Sequence, residues 1–161
     1  MPLLLTLIFL LLPSATYGYQ NDHHGYQNEK KGFRDLEWGT SIDSVKDQMA
    51  ILSSRNDGFR SYTKINEDLQ MGSVKVKWIS YNFWRSKLIE VQAEGDLNDY
   101  ESMRDSLIYA FGEPNYGSHT WEGANTNIFL IKVVKDHRVS LHFQDIKGCE
   151  EYEKARQTTG F

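Results

Sequence analysis

The chain has 161 residues, 40% hydrophobic and 13% aromatic with only 3 Pro, a composition that supports one packed domain and argues against disorder. Its 18 Lys and Arg against 22 Asp and Glu leave a net charge of -4, which argues against a surface built to neutralise a run of phosphates, and so against nucleic acid as a partner. Cys149 is the only cysteine, so no internal disulfide forms and the core alone must hold the domain together.

In chain order, Leu3 to Leu12 is an uncharged apolar run ended by Pro13, and small Thr16 and Gly18 follow at cleavage-site spacing. Residues 1–18 therefore read as a signal peptide, although no Lys or Arg precedes the run. At about 1.5 Å per residue this run spans roughly half a hydrocarbon core, which favours export to the periplasm or beyond over a membrane anchor. No cysteine follows it to accept a lipid at a new N-terminus. Residues 19–31 are polar, repeat GYQN at 18 and 25, and predict a flexible lead-in. His23 and His24 lack a third ligand at suitable spacing, so no metal site is predicted.

The stretch FRDLEWGTSIDSV opens the domain proper. Thr40 or Ser41 can cap a helix, Asp43 and Asp47 suit its positive end, and Ile42, Val45 and Met49 recur on one face. Gly39 allows a turn before the cap, and Trp38 is placed for a staple-like contact. Glu37 has no partner carboxylate or histidine and is not read as an acid or base.

Three strand-like runs follow, Phe59 to Ile65, Val74 to Phe83 and Leu88 to Glu94, with turn chemistry at Asn66-Glu67-Asp68 and Arg85-Ser86. A second helix is predicted from Tyr100, Met103, Leu107, Ala110 and Phe111, capped near Asp96 and stopped by Gly112 and Pro114. Runs at His119 to Glu122, Thr126 to Val133 and Val139 to Gln144 complete the domain, 32–146. The order predicts an α+β fold of two helix-then-three-strand units, forming a mainly antiparallel sheet with both helices on one face.

Register predicts the faces. A three-residue loop at Lys135-Asp136-His137 pairs Val133 with Val139, Ile131 with Leu141 and Phe129 with Phe143 as a core face, leaving His142 on a wet one. A two-residue loop at Arg85-Ser86 sets Trp78 opposite Ala93, Ser80 opposite Val91 and Asn82 opposite Ile89. The reverse face of that hairpin then carries Ile79, Tyr81, Phe83 and Leu88 together, rimmed by Lys75 and Lys77. These six residues are the candidate binding surface, unless a bulge near Ile79 turns the apolar four inward. Residues 147–161 have helical composition but a weak apolar stripe and read as a C-terminal tail. Within them Cys149 reads as a shielded thiol, since Glu150 and Glu151 oppose thiolate formation.

The segments GFRDLEWGTSIDSVK, WISYNFWRSKLIEV, LIYAFGEPN and HTWEG resemble a group of uncharacterised exported bacterial proteins with a W-G-T-S helix start and F-G-x-P before a Trp, over about residues 32 to 145. More remotely, the helix-then-meander order is similar to the small outer-membrane assembly lipoproteins and the β-lactamase inhibitor proteins. That resemblance implies a binding module. There is no Gly-rich phosphate cradle, H-E-x-x-H motif or serine elbow, and His119, Trp121 and Glu122 on one short strand are badly placed for acid–base work. No catalytic set, metal or cofactor is predicted. The expectation is an exported, non-enzymatic binding or envelope-accessory module for a protein or a small apolar ligand. The alternatives are a structural or stress-related exported protein with no free face, and a hydrolase whose site is assembled across strands.

Overall fold

The structure, a computed structural model, describes residues 25–159. The predicted signal peptide, the first residues of the lead-in including His23 and His24, and the last two residues lie outside it. A two-stranded hairpin, β1 (Gly32–Phe33) and β2 (Leu36–Glu37), leads into a four-residue helix α1 (Ile42–Val45). Then come β3 (Met49–Ser54), β4 (Phe59–Lys64) and a second small hairpin, β5 (Gln70–Met71) and β6 (Val74–Lys75). The chain continues through β7 (Trp78–Trp84), β8 (Lys87–Asp96), α2 (Tyr100–Phe111), β9 (Thr120–Glu122), β10 (Thr126–Val133), β11 (Arg138–Asp145) and α3 (Ile146–Thr159).

Seven strands form one antiparallel sheet in the order β3-β4-β7-β8-β11-β10-β9. The α+β class and the antiparallel sheet are as predicted. The unit count differs, because Met49 begins a strand instead of ending a helix. Thr40 and Ser41 do not cap α1 with their side chains. Instead Trp38 and Gly39 form a turn, Gly39 and Thr40 exchange backbone bonds with Leu88, and Ser41 bridges Lys87, so Thr40 and Ser41 lie beside β8 before one helical turn. Helix α2 matches its signals: Asp96 accepts from the Asn98 N–H, Gly112 ends the helix at φ 80°, and Tyr100, Met103 and Leu107 are buried.

Both hairpin registers depart from the simple alternation. The Arg85-Ser86 turn has two residues with positive φ, as a tight twisted hairpin demands, and it pairs Phe83 with Leu88. The register then shifts, Asn82 pairing with Glu90, so that Ile89 is an extra residue in β8. This bulge lies at Ile89, not near Ile79, and it sends Val91 and Ala93 to the same side as Tyr81 and Ile79. In the second hairpin His137 adopts the left-handed conformation at φ 49°, making a four-residue loop that pairs Val133 with Arg138. The one-residue slip exchanges the faces of β10, while Val139, Leu141 and Phe143 of β11 are in the core as expected. Ile128, Leu130, Leu141 and Phe143 are core, whereas Ile131 is half exposed.

The inner face of the sheet thus carries Ile79, Tyr81, Phe83, Val91, Leu141 and Ile128, packed with α2, α1 and the β1–β2 hairpin. The outer face is covered in part by α3, which the sequence suggested only as a tail. Tyr152 stacks against Trp84 and Phe59 at 5.6 and 5.3 Å, and the Cys149 thiol donates to the Ile89 carbonyl at 3.4 Å. Burial pushes that thiol up to about 12, so it is a shielded thiol and not a thiolate. Helices therefore pack on both sides of the sheet.

Candidate functional site

The predicted binding surface is not a surface. Ile79, Tyr81, Phe83 and Leu88 are no more than 1% exposed, at the centre of the main core, while Lys75 and Lys77 are exposed at its margin, Lys77 lying 3.4 Å from Asp96. The bulge at Ile89 is the physical reason, because it brings the apolar residues of β7 and β8 onto one face and that face is covered.

A different feature emerges between α2 and the sheet. A cavity of about 690 Å3 has Ile128, Leu141 and Phe143 as its floor and Met103, Leu107 and Phe111 of α2 as one wall. The opposite walls come from the N-terminal segment, through Tyr26 and Phe33, and from the β5–β6 hairpin, through Met71 and Gly72. The size falls within the ordinary range for small-molecule sites, and the lining is mainly apolar with a polar rim of Lys30, Arg34, Gln70, Ser73 and Asp105. Aromatic contacts brace the walls: Phe33 meets Phe143 at 4.9 Å, and Tyr26 meets Phe111 edge-on at 5.5 Å.

Polar bonds lock those walls. Residues 25–31, read from sequence as part of a flexible lead-in, form a strap across the edge of the domain. The Gln27 N–H donates to the Phe111 carbonyl at 3.0 Å, and the Asn28 side chain donates to the Ala110 carbonyl at 2.9 Å. The Glu29 carboxylate accepts from the backbone N–H groups of Ala124, Asn125 and Thr126. The Thr126 hydroxyl donates to the Lys30 carbonyl and accepts from the Trp38 indole at 2.7 Å. On the far wall Arg34 pairs with Glu67 and donates to the carbonyls of Asp68 and Gln70, and Glu67 also accepts from the Tyr81 hydroxyl at 2.7 Å. Burial, reinforced by that carboxylate, pushes the Tyr81 hydroxyl well above its ordinary value, so it remains a donor.

Burial would raise the Glu29 carboxyl, but the three backbone donors outweigh it and hold the group below its usual range. A depressed folded value means that the strap's contribution is fully present above the unfolded value of about 4.3 and is lost as pH falls through the folded one. Glu29→Ala is expected to cost about 1–2 kcal/mol at neutral pH, at the low end for charge-assisted bonds because the carboxylate is partly solvated. Urea unfolding at neutral and acid pH checks this; equal midpoints for wild type and variant at pH 7 would remove the strap from the account.

The outer face holds a second arrangement of chemical interest. Ser140 Oγ lies 2.9 Å from His142 Nε2, and His142 Nδ1 lies 2.9 Å from Glu90 Oε1. Gln92 donates to the Ser140 hydroxyl at 3.0 Å, which turns that hydroxyl's own proton toward His142 Nε2 and leaves Nδ1–H for Glu90. Those are the distances and the tautomer of a nucleophilic triad. The setting is wrong for one. Ser140 is 2% exposed in the middle of a strand, and neither the α2 cavity nor a second one of about 490 Å3 beside Trp84 and Lys147 is lined by Ser140, His142 or Glu90. The hydroxyl is enclosed within the sheet, and the network ties β8 to β11 through Glu90, Gln92, Ser140 and His142. His142, read from sequence as a solvated residue, is a fixed member of this network.

Among the described residues no group of three or more His, Cys, Asp or Glu is arranged to hold a metal, and no helix is long and apolar enough to cross a membrane. The site residues that sequence reasoning missed are Tyr26, Phe33, Met103, Leu107, Ile128 and Phe143. The available signal was the pair of large aromatics, Tyr26 and Phe33, in an otherwise polar segment. No known protein family, curated protein or solved structure matches the chain.

Proposed function

We propose that this chain is an exported, non-enzymatic binding module that takes a small apolar ligand into the cavity between α2 and the sheet. The observation that carries the reading is the cavity itself: about 690 Å3 with an apolar floor of Ile128, Leu141 and Phe143. Its polar rim gives such a ligand one wet end. Export to the periplasm or beyond rests on the uncharged run Leu3 to Leu12 and the small residues after it, and the W-G-T-S and F-G-x-P segments support kinship with exported α+β proteins of that pattern.

The test is a titration of the purified protein with a neutral apolar fluorophore such as N-phenyl-1-naphthylamine. Saturable binding at one site is expected. Ala110→Trp, at the cavity wall, displaces two or more ligand methylenes at about 0.8 kcal/mol each, so affinity should fall by at least about tenfold while the unfolding midpoint changes little. Binding that Ala110→Trp leaves untouched, or no saturable binding at all, refutes the assignment. The second outcome favours the structural reading, which α3 supports by closing part of the outer face through Tyr152.

A further inference from the structure

The two edges of the seven-stranded sheet are unlike. At one end β9 has three residues, and its outer side is already occupied: Asn115 donates to the Glu122 carbonyl at 2.8 Å and accepts from the Glu122 N–H at 2.7 Å, while Tyr116 bridges Thr120. At the other end β3 has six residues, MAILSS, and among the described residues pairs only with β4. It contains no charge and no proline, the two usual protections of an edge. Ile51 is 60% exposed and Leu52 54%, and Ile65, which follows β4 directly, is 52% exposed. Three large aliphatic side chains and a row of unpaired backbone groups thus share one margin of the molecule.

We propose that β3 pairs antiparallel with β3 of a second copy of this chain, giving a closed two-fold dimer with one continuous sheet. Three observations select that occupant. An uncharged strand meets itself without placing like charges opposite each other. Antiparallel pairing about Ile51 sets the end of β3 that Asp47 precedes beside the end of the second copy's β3 that Arg55 follows, so opposite charges flank the seam at both of its ends. Arg55 holds Asp57 at 3.0 Å, yet its guanidinium has five donors and can take a second carboxylate. Finally, β9 is capped, so a β3-to-β9 contact that would propagate into a filament is closed off and association stops at two. The register shift between Ile51 and Ser53 breaks the regular ladder at Leu52, so the contact is short, about 20 Å at most, and below the size of a permanent interface.

Sedimentation velocity of the purified protein from about 1 µM to about 1 mM tests the proposal over the range in which weak interfaces populate. A monomer giving way to a dimer, and to nothing larger, is expected. Ile51→Lys should weaken the dimer at least about tenfold by placing two cations at the two-fold, without moving the thermal midpoint, since the side chain is largely exposed. Asp47→Lys and Arg55→Asp should each weaken association, and the two combined in one chain should recover it. A chain that remains monomeric throughout, a dimer indifferent to Ile51→Lys, or growth beyond two copies overturns the proposal. No recovery in the double variant overturns the antiparallel register centred on Ile51. A monomer that binds an added extended peptide at Ile51 assigns the edge to another partner and overturns it as well.

Discussion

Phe83→Ala is expected to lower the unfolding free energy by about 3–5 kcal/mol, the range for truncating a buried aromatic. Phe83 is 1% exposed, meets Tyr62 edge-on at 5.4 Å and belongs to the main core cluster with Ile79, Tyr81 and Leu88. Removing its ring takes away the transfer free energy of the buried surface and leaves a void that strands on both sides cannot close. The same substitution on an exposed docking patch would change stability by no more than about 0.5 kcal/mol. Urea denaturation separates the two cases directly, because the difference is several-fold larger than the uncertainty of the extrapolation. A midpoint equal to the wild-type one would return Phe83 to the surface and restore the patch as a binding face.

That contrast shows where local pattern stopped being informative. The Arg85-Ser86 turn, the strands at 59–64, 87–96, 120–122, 126–133 and 138–145, and the capping and stop signals of α2 were legible, because each is decided by a few adjacent residues. The faces of β7 and β10 were not, because a face depends on register, and register is reset by one extra residue. Ile89 is that residue in the first hairpin, and the left-handed His137 lengthens the loop by one in the second. Ile42, Val45 and Met49 fit a helical stripe, yet the helix lasts one turn, because Met49 pairs with Lys64 at the sheet edge. Helix α3 has a weak stripe since it needs to bury only Tyr152 and its immediate neighbours against Trp84 and Ile89. The cavity was invisible for a deeper reason. Its walls come from segments near residues 26–34, 70–73, 103–111 and 126–143, and no periodicity distinguishes a side chain that lines a void from one that fills it.

Replacing Glu90 by alanine should cost about 3–5 kcal/mol, as much as a large core truncation although the residue is polar. Its carboxylate, 14% exposed, accepts from His142 Nδ1 at 2.9 Å, from the Gln144 amide at 2.8 Å and from the Asn82 amide at 2.8 Å. Asn82 in turn accepts from the Ser61 hydroxyl at 2.7 Å, so the carboxylate ties together side chains from β4, β7, β8 and β11. Alanine leaves three donors facing a site that water enters poorly, and each unpaired buried donor costs about 1–3 kcal/mol. Glu90→Gln keeps the shape but presents an NH2 group to other donors, so it should fall between alanine and wild type. Burial pushes the Glu90 carboxyl up, but the bonds from His142, Gln144 and Asn82 outweigh it and hold the group below its usual range. The sign follows: the charge stabilises fully above the unfolded value of about 4.3, and that contribution disappears as pH falls through the lower folded value. Wild type and Glu90→Gln should therefore differ most at neutral pH and converge in acid. A gap that persists unchanged to low pH would mean that Glu90 holds the strands by shape and not by its charge.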